Sequence, residues 1–182
     1  SIVKSVTETA IKHGGVIGTQ NKYIALIRDT LLNVARIFPK LLSFFDFYHP
    51  WQITNGLIDK SLYPNKANGI VISQPNLDLK VDNKSFDQYI GYNFALIVFD
   101  QNEKLLNDIK ALESSKIFED NIYLINKDSP FNEDSNFIKW KKDNNISAVI
   151  IRPDRHVYGC CDDESMITKV DELNKKLISE LT

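Results

Sequence analysis

The spacing of apolar positions divides the chain into a helical beginning and a longer stretch of alternating strands and helices. Ile2, Val3, Val6, Ala10 and Ile11 recur at helical spacing, and Gly14-Gly15 are expected to end that first helix. Gly18 follows too closely, and after a helix rather than a strand, to make a phosphate-cradling loop. A second helix is expected from about Asn21 to Phe38, with Tyr23, Ile24, Ile27, Leu31, Val34 and Phe38 on its apolar face. After Pro39 comes an aromatic-rich segment with Phe44, Phe45, Phe47, Tyr48 and Trp51, read either as packing onto the next domain or as an interface for a separate one. Turn signals at Asn55-Gly56, Pro64 and Asn68-Gly69 mark Gln52 to Asn68 as a connector. The domain boundary is therefore placed between a helical extension, 1–66, and a compact domain, 67–182.

The compact part reads in a regular order. Ile70 to Ile72 is strand-like, Leu77, Leu79 and Val81 alternate with polar residues, and Phe86, Tyr89 and Ile90 share a helical turn closed by Gly91. Phe94 to Phe99 is a buried strand, Asn102 to Leu112 a helix, Ile122 to Ile125 a strand and Asp134 to Lys142 a helix. Ile146, Ala148, Val149, Ile150 and Ile151 form a short, β-branched run that predicts a strand buried on both faces. Arg152-Pro153-Asp154-Arg155 then makes a tight turn, because proline fixes φ and aspartate bonds its own backbone, and His156 to Tyr158 return as a hairpin partner. A last helix, capped by Asp162 or Asp163, carries Met166, Ile167, Val170, Leu173, Leu177 and Leu181. Crossovers between the first three strands predict parallel neighbours, and the hairpin adds an antiparallel one. The expected fold is α/β: a thioredoxin-like mixed sheet with helices on both faces, preceded by the helical extension.

Composition narrows the function classes. A net charge of −2, with scattered lysines, argues against a nucleic-acid surface. No apolar run has the length of a membrane span, and the first residues lack the apolar core of a signal peptide, so a cytoplasmic protein is expected. The chain begins inside a helical pattern without an initiator methionine and is expected to be a piece of something longer.

Candidate chemistry is sparse. His13, His49 and His156 fall on different elements without metal-ligand spacing, and no P-loop, GxSxG or dinucleotide fingerprint occurs. Cys160 and Cys161 are adjacent, a spacing that suits neither a bridge nor a CxxC site, and they are expected as reduced thiols. Thioredoxin chemistry needs a thiolate at the N-terminus of the helix after the first core strand. That junction here is Phe99-Asp100-Gln101-Asn102-Glu103, without cysteine, and no proline stands before the strand at Ile146. Two of the four arginines crowd into the turn Arg152, Pro153, Asp154, Arg155, which is therefore the candidate structural site.

Three motifs in order carry a resemblance. Gln74-Pro75, then FDQYIGYNFALI (Phe86 to Ile97), then AVIIRPDRHV (Ala148 to Val157) resemble the C-terminal region of the FAD-dependent aromatic hydroxylases, single-component monooxygenases. The likeness is greatest to 3-(3-hydroxyphenyl)propionate hydroxylase and phenol-hydroxylase-like relatives, and Ile24 to Pro39 resembles the helices that join their catalytic part to the tail. The resemblance implies that the complete enzyme binds FAD and uses NAD(P)H and dioxygen on a phenolic ring. It also implies that flavin and substrate sites lie in an N-terminal part outside this chain. No catalytic, cofactor or metal residue carries over. What carries over is a tail inactive by itself, whose partners are that FAD-binding part and a possible second copy, with no nucleic acid and no membrane. Two other readings stand beside it: a stand-alone thiol redox protein using Cys160, and a freestanding interaction module.

Overall fold

The computed structural model describes residues 2–37, 52–73, 85–126 and 135–182. The aromatic-rich segment after Pro39, His49 and the alternating stretch Leu77 to Val81 lie outside them. The chain divides into two compact units, Ser1–Trp51 and Gln52–Thr182.

The first unit contains α1 (Ile2–Ile17) and α2 (Lys22–Ile37). Contrary to expectation, Gly14-Gly15 do not end α1. The helix runs on to Ile17, and the Gly18 amide still donates to the Gly14 carbonyl at 2.8 Å. Two glycines cost propensity, but they keep the amides and carbonyls that the ladder requires. Asn21 caps α2, its Oδ1 accepting from the Tyr23 amide at 3.0 Å. Ile24, Ile27, Leu31 and Val34 lie along one side of α2 and are all exposed.

The second unit is built on a four-stranded sheet: β1 (Ala95–Val98), β2 (Ile122–Leu124), β3 (Ala148–Ile151) and β4 (Val157–Cys161), in the order β2-β1-β3-β4. β1 and β2 are parallel, as a crossover through α4 (Glu103–Lys110) requires. β3 corrects the expectation: it runs antiparallel to β1, with Ala148 opposite Val98 and Ile151 opposite Ala95. The chain leaves β1 and enters β3 at the same end of the sheet, so the segment carrying α5 (Ser135–Asn144) need not return to the far end.

Every residue of β1, β3 and β4 is buried, because helices cover both faces. Alternation sorts the side chains. Ala95, Ile97, Val149 and Ile151 share a layer with Phe86 and Ile90 of α3 (Phe86–Ile90) and Phe137 of α5. Leu96, Val98, Ala148 and Ile150 face the opposite layer, with Ile109 of α4, Phe118 of a 3₁₀ turn (Glu113–Phe118) and Val170, Leu173 and Leu177 of α6 (Met166–Leu181). Neither Asp162 nor Asp163 caps α6. Ser165, at φ 54°, occupies the cap position without a side-chain bond, and the Asp162 carboxylate instead reaches forward to Lys169.

Residues 52–73, read as a connector and then a strand, instead strap the outer edge of β4 and belong to the second unit. Ile70–Ile72 makes a single antiparallel bridge, Val71 opposite His156, rather than a strand. Positive φ at Gly69 (81°) and Arg155 (67°) turns the two backbones apart on either side of it. The expected boundary at 66/67 thus falls inside the strap, whereas the units divide at 51/52.

Gly69 should tolerate no side chain. A Cβ built there lies 2.2 Å from the Ile53 carbonyl oxygen, and the Gly69 carbonyl itself accepts from the Ile53 amide at 2.8 Å. Gly69→Ala is expected to lower stability by about 2 kcal/mol or more, through positive φ and the clash together. A denaturant melt measures it, and an unchanged midpoint contradicts this reading of the strap.

Candidate functional site

The turn after β3 folds as its residues dictate. The Arg155 amide donates to the Arg152 carbonyl at 2.9 Å, and the Arg152 amide to the His156 carbonyl at 2.9 Å. Asp154 braces the turn from within, Oδ1 accepting from the His156 amide at 3.2 Å and Oδ2 from the Arg152 guanidinium at 2.7 Å. Burial pushes the Asp154 carboxyl up, but the His156 amide and the nearby Arg152 and His156 charges outweigh it and leave it below the usual range.

The two arginines reach in different directions. Arg152 donates from Nη1 to the Leu57 carbonyl of the strap at 3.0 Å. Arg155 is 7% exposed and turns to α3, where Nε meets Asp87 Oδ1 at 2.6 Å. Its Nη2 meets the carbonyls of Asp87 at 3.1 Å and Gly91 at 2.5 Å, while Nη1 is buried without a partner. A buried guanidinium needs such acceptors, because a charge taken out of water without them is costly. α3 is shaped to supply them: Ser85 and Gln88 form a capping box at its start, and Gly91, at φ 72°, ends it. The turn Arg152–Arg155 thus ties the strap on one side and α3 on the other to the β3–β4 hairpin.

A second polar cluster lies beneath the strap. The Asp59 carboxylate, fully buried, accepts from the amides of Ser61 (3.2 Å), Leu62 (3.0 Å) and Tyr63 (2.8 Å), and from Lys176 of α6 at 2.6 Å. Burial raises its pKa, but the Lys176 bond and the three amides prevail and leave it below the ordinary value of 3.8. Asn68 donates to the carbonyls of Asp59 and Tyr63, and the Tyr63 hydroxyl donates to Glu172 at 2.5 Å. Gly159 of β4 leaves room for the crossing, since a Cβ there would stand 3.1 Å from Asp59 Cβ and 3.0 Å from Leu173. Sequence reasoning missed Asp59, Asn68, Asp87 and Lys176. Asp59 alone left a trace, an aspartate placed to bond the amides that follow it.

Cys160 and Cys161 are neighbours on β4, so their side chains face opposite layers and cannot bridge or chelate together. Cys160 Sγ donates to Asn68 Oδ1 at 3.2 Å, and burial pushes its thiol far up. Burial, with the Asp162 charge, pushes Cys161 up to about 12. Both line an open cleft of about 300 Å³ with Tyr63, Pro64, Asn65 and Asn145. At the head of α4, where a redox thiol would stand, Asn102 Oδ1 caps the Lys104 amide at 3.0 Å and Asp100 takes the Asn102 amide at 2.7 Å. That junction does not fit a flavin pyrophosphate, which needs glycine and free amides rather than a carboxylate. Among the described residues no three His, Cys, Asp or Glu side chains gather to hold a metal ion.

Residues 69–176 match the family model of the HcaD C-terminal domain. The chain belongs to the HcaD C-terminal domain family. HcaD is a flavin-dependent oxidoreductase. The matched span begins in the strap at Gly69 and ends at Lys176 of α6, so the HcaD C-terminal domain takes in the whole sheet, the Arg152–Arg155 turn and both cysteines. No curated protein matches the sequence. Two solved structures are similar: the substrate-free form of the rebeccamycin biosynthetic enzyme RebC (TM-score 0.42, 15% identity, 85% of this chain and 28% of that one) and chromopyrrolic acid-soaked RebC-10x with bound 7-carboxy-K252c (TM-score 0.45, 13% identity, 91% and 30%). The chain spans less than a third of either.

Two outcomes follow, one from the Arg152–Arg155 turn as a clamp on the strap and α3 and one from the Asp59–Lys176 pair. Arg155→Ala is expected to cost about 3 kcal/mol and Arg152→Ala about 1–2 kcal/mol, since the first removes a buried side chain with three bonds to α3 and its cap and the second a half-open pair. Equal melting temperatures for both variants and the parent contradict the clamp. Asp59, with a folded pKa below its unfolded one, stabilises the fold above pH 4 or so and loses that contribution as pH falls through the folded value. Acid unfolding followed by circular dichroism should therefore shift to higher pH in Lys176→Met.

Proposed function

We propose that this chain is the thioredoxin-like, redox-inert C-terminal part of an FAD-dependent aromatic-ring monooxygenase, serving domain packing or oligomerisation. Its substrate is a phenolic acid of the 3-(3-hydroxyphenyl)propionate kind. FAD and NAD(P)H bind in an N-terminal catalytic part of the same cytoplasmic enzyme, and that part is this chain's partner. The observation that carries the reading is the combination of strand order and missing thiol. A β2-β1-β3-β4 sheet with β1 parallel to β2 and antiparallel to β3 supports the thioredoxin-like reading, with Asn102 and Asp100 standing where its reactive cysteine would.

Membership of a C-terminal domain family supports the placement within a longer enzyme. The Gln74-Pro75, Phe86–Ile97 and Ala148–Val157 motifs support the aromatic-hydroxylase class. The exposed side of α2, with Ile24, Ile27, Leu31 and Val34, supports a packing role, since an apolar stripe gains free energy only when something covers it. The thiol-redox alternative is disfavoured by Cys160 and Cys161 themselves, whose burial opposes thiolate formation.

Two experiments test the reading. In an insulin-reduction assay the chain should show no turnover, and turnover abolished by Cys160→Ser would restore the thiol alternative. In the full-length protein, Leu31→Glu should weaken the association of tail and catalytic part, read as faster limited proteolysis between them with flavin content unchanged. Unaltered proteolysis would remove α2 from the packing role.

A further inference from the structure

The strap holds its place in an unusual way for a segment that covers a sheet edge. It contains no helix or strand, and only Ile58, Ala67 and Ile72 are its fully buried apolar anchors, while Leu62 and Val71 stand exposed. Four backbone bonds join it to the β4 side: Asp59 amide to Tyr158 carbonyl (2.7 Å), Gly69 to Val157 (2.8 Å), Val157 to Ile70 (2.9 Å) and Ile72 to Arg155 (2.9 Å). The remaining attachments are polar side chains. Lys176 bonds both Asp59 (2.6 Å) and Ser61 (2.8 Å), Tyr63 bonds Glu172, and Asn65 bonds the Asn144 carbonyl at 2.9 Å. Gly56 and Gly69, both at positive φ, lie at the turns on either side. Few apolar anchors, an irregular backbone and polar fastenings are the marks of a unit that opens below the free energy of global unfolding.

We propose that residues 52–73 are a strap that opens as a unit, latched by Lys176 on Asp59, and that its opening uncovers Cys160 while Cys161 stays shut. Cys160 shares its layer with Ala67 and Ile72 of the strap, and its thiol bonds Asn68. Cys161 faces the other layer, beneath Met166, Val170 and Leu173 of α6, to which the strap adds only the partly buried Leu57 and Tyr63. Removal of Lys176 leaves a buried carboxylate with its three amides but without a countercharge, which favours the open strap. The adjacent cysteines thereby report on opposite sides of the sheet.

The test is site-resolved alkylation of the 182-residue chain by iodoacetamide, read by mass spectrometry, in the parent and in Lys176→Met. The parent should label Cys160 at least about tenfold faster than Cys161, and Lys176→Met should raise the Cys160 rate roughly tenfold further with Cys160 staying well ahead of Cys161. Equal rates at both cysteines, rising together in the variant, would mean that only global unfolding exposes them and would overturn the strap. Absence of labelling at Cys160 under native conditions would overturn it equally.

Discussion

The buried guanidinium of Arg155 sets the constraint to which much of the second unit answers. A charge that is 7% exposed requires acceptors on hand, and the chain supplies them from α3: the Asp87 carboxylate and the Asp87 and Gly91 carbonyls. To aim Arg155 there the hairpin adopts φ 67° at that residue, which Pro153 and the self-bonding Asp154 help to impose. The same geometry sends Arg152 the opposite way, to Leu57 of the strap. One turn of four residues therefore registers three segments that lie far apart in sequence.

Asp59 plays the matching role beneath the strap. Its carboxylate organises the amides of residues 61–63 and joins them to α6 through Lys176, while Gly159 provides the space for the strap to cross β4. The result is a sheet whose outer edge is covered without a fifth strand, one way to protect an edge from pairing with other chains. The thiols lie inside this arrangement as packing atoms, on opposite faces of a strand, where burial raises their pKa values.

Much of this is legible in the sequence. The apolar run Phe94 to Phe99 announced a buried strand, the β-branched run from Ile146 to Ile151 one buried on both faces, and the apolar spacing of Met166, Val170, Leu173 and Leu177 announced α6. The order of strands and helices also followed from periodicity. Strand direction did not, because β3 can enter the sheet from either end without altering any local pattern. The strap was illegible for a related reason. Its turn residues resemble those of a linker, and its attachment depends on Lys176, 117 positions from Asp59. Gly14-Gly15 misled in the opposite direction, since a helix tolerates glycines when its ladder continues to Ile17 and Gly18.

The central claim is that this mixed sheet, proposed to be thioredoxin-like, has no reactive thiol. Thiolate absorbance at 240 nm, followed as the native chain is titrated upward in pH, tests it most directly. The account predicts no rise from either cysteine before the alkaline unfolding of the fold, in keeping with a Cys161 thiol at about 12 and a Cys160 thiol higher still. One equivalent of thiolate appearing below pH 8 in the folded protein would contradict it.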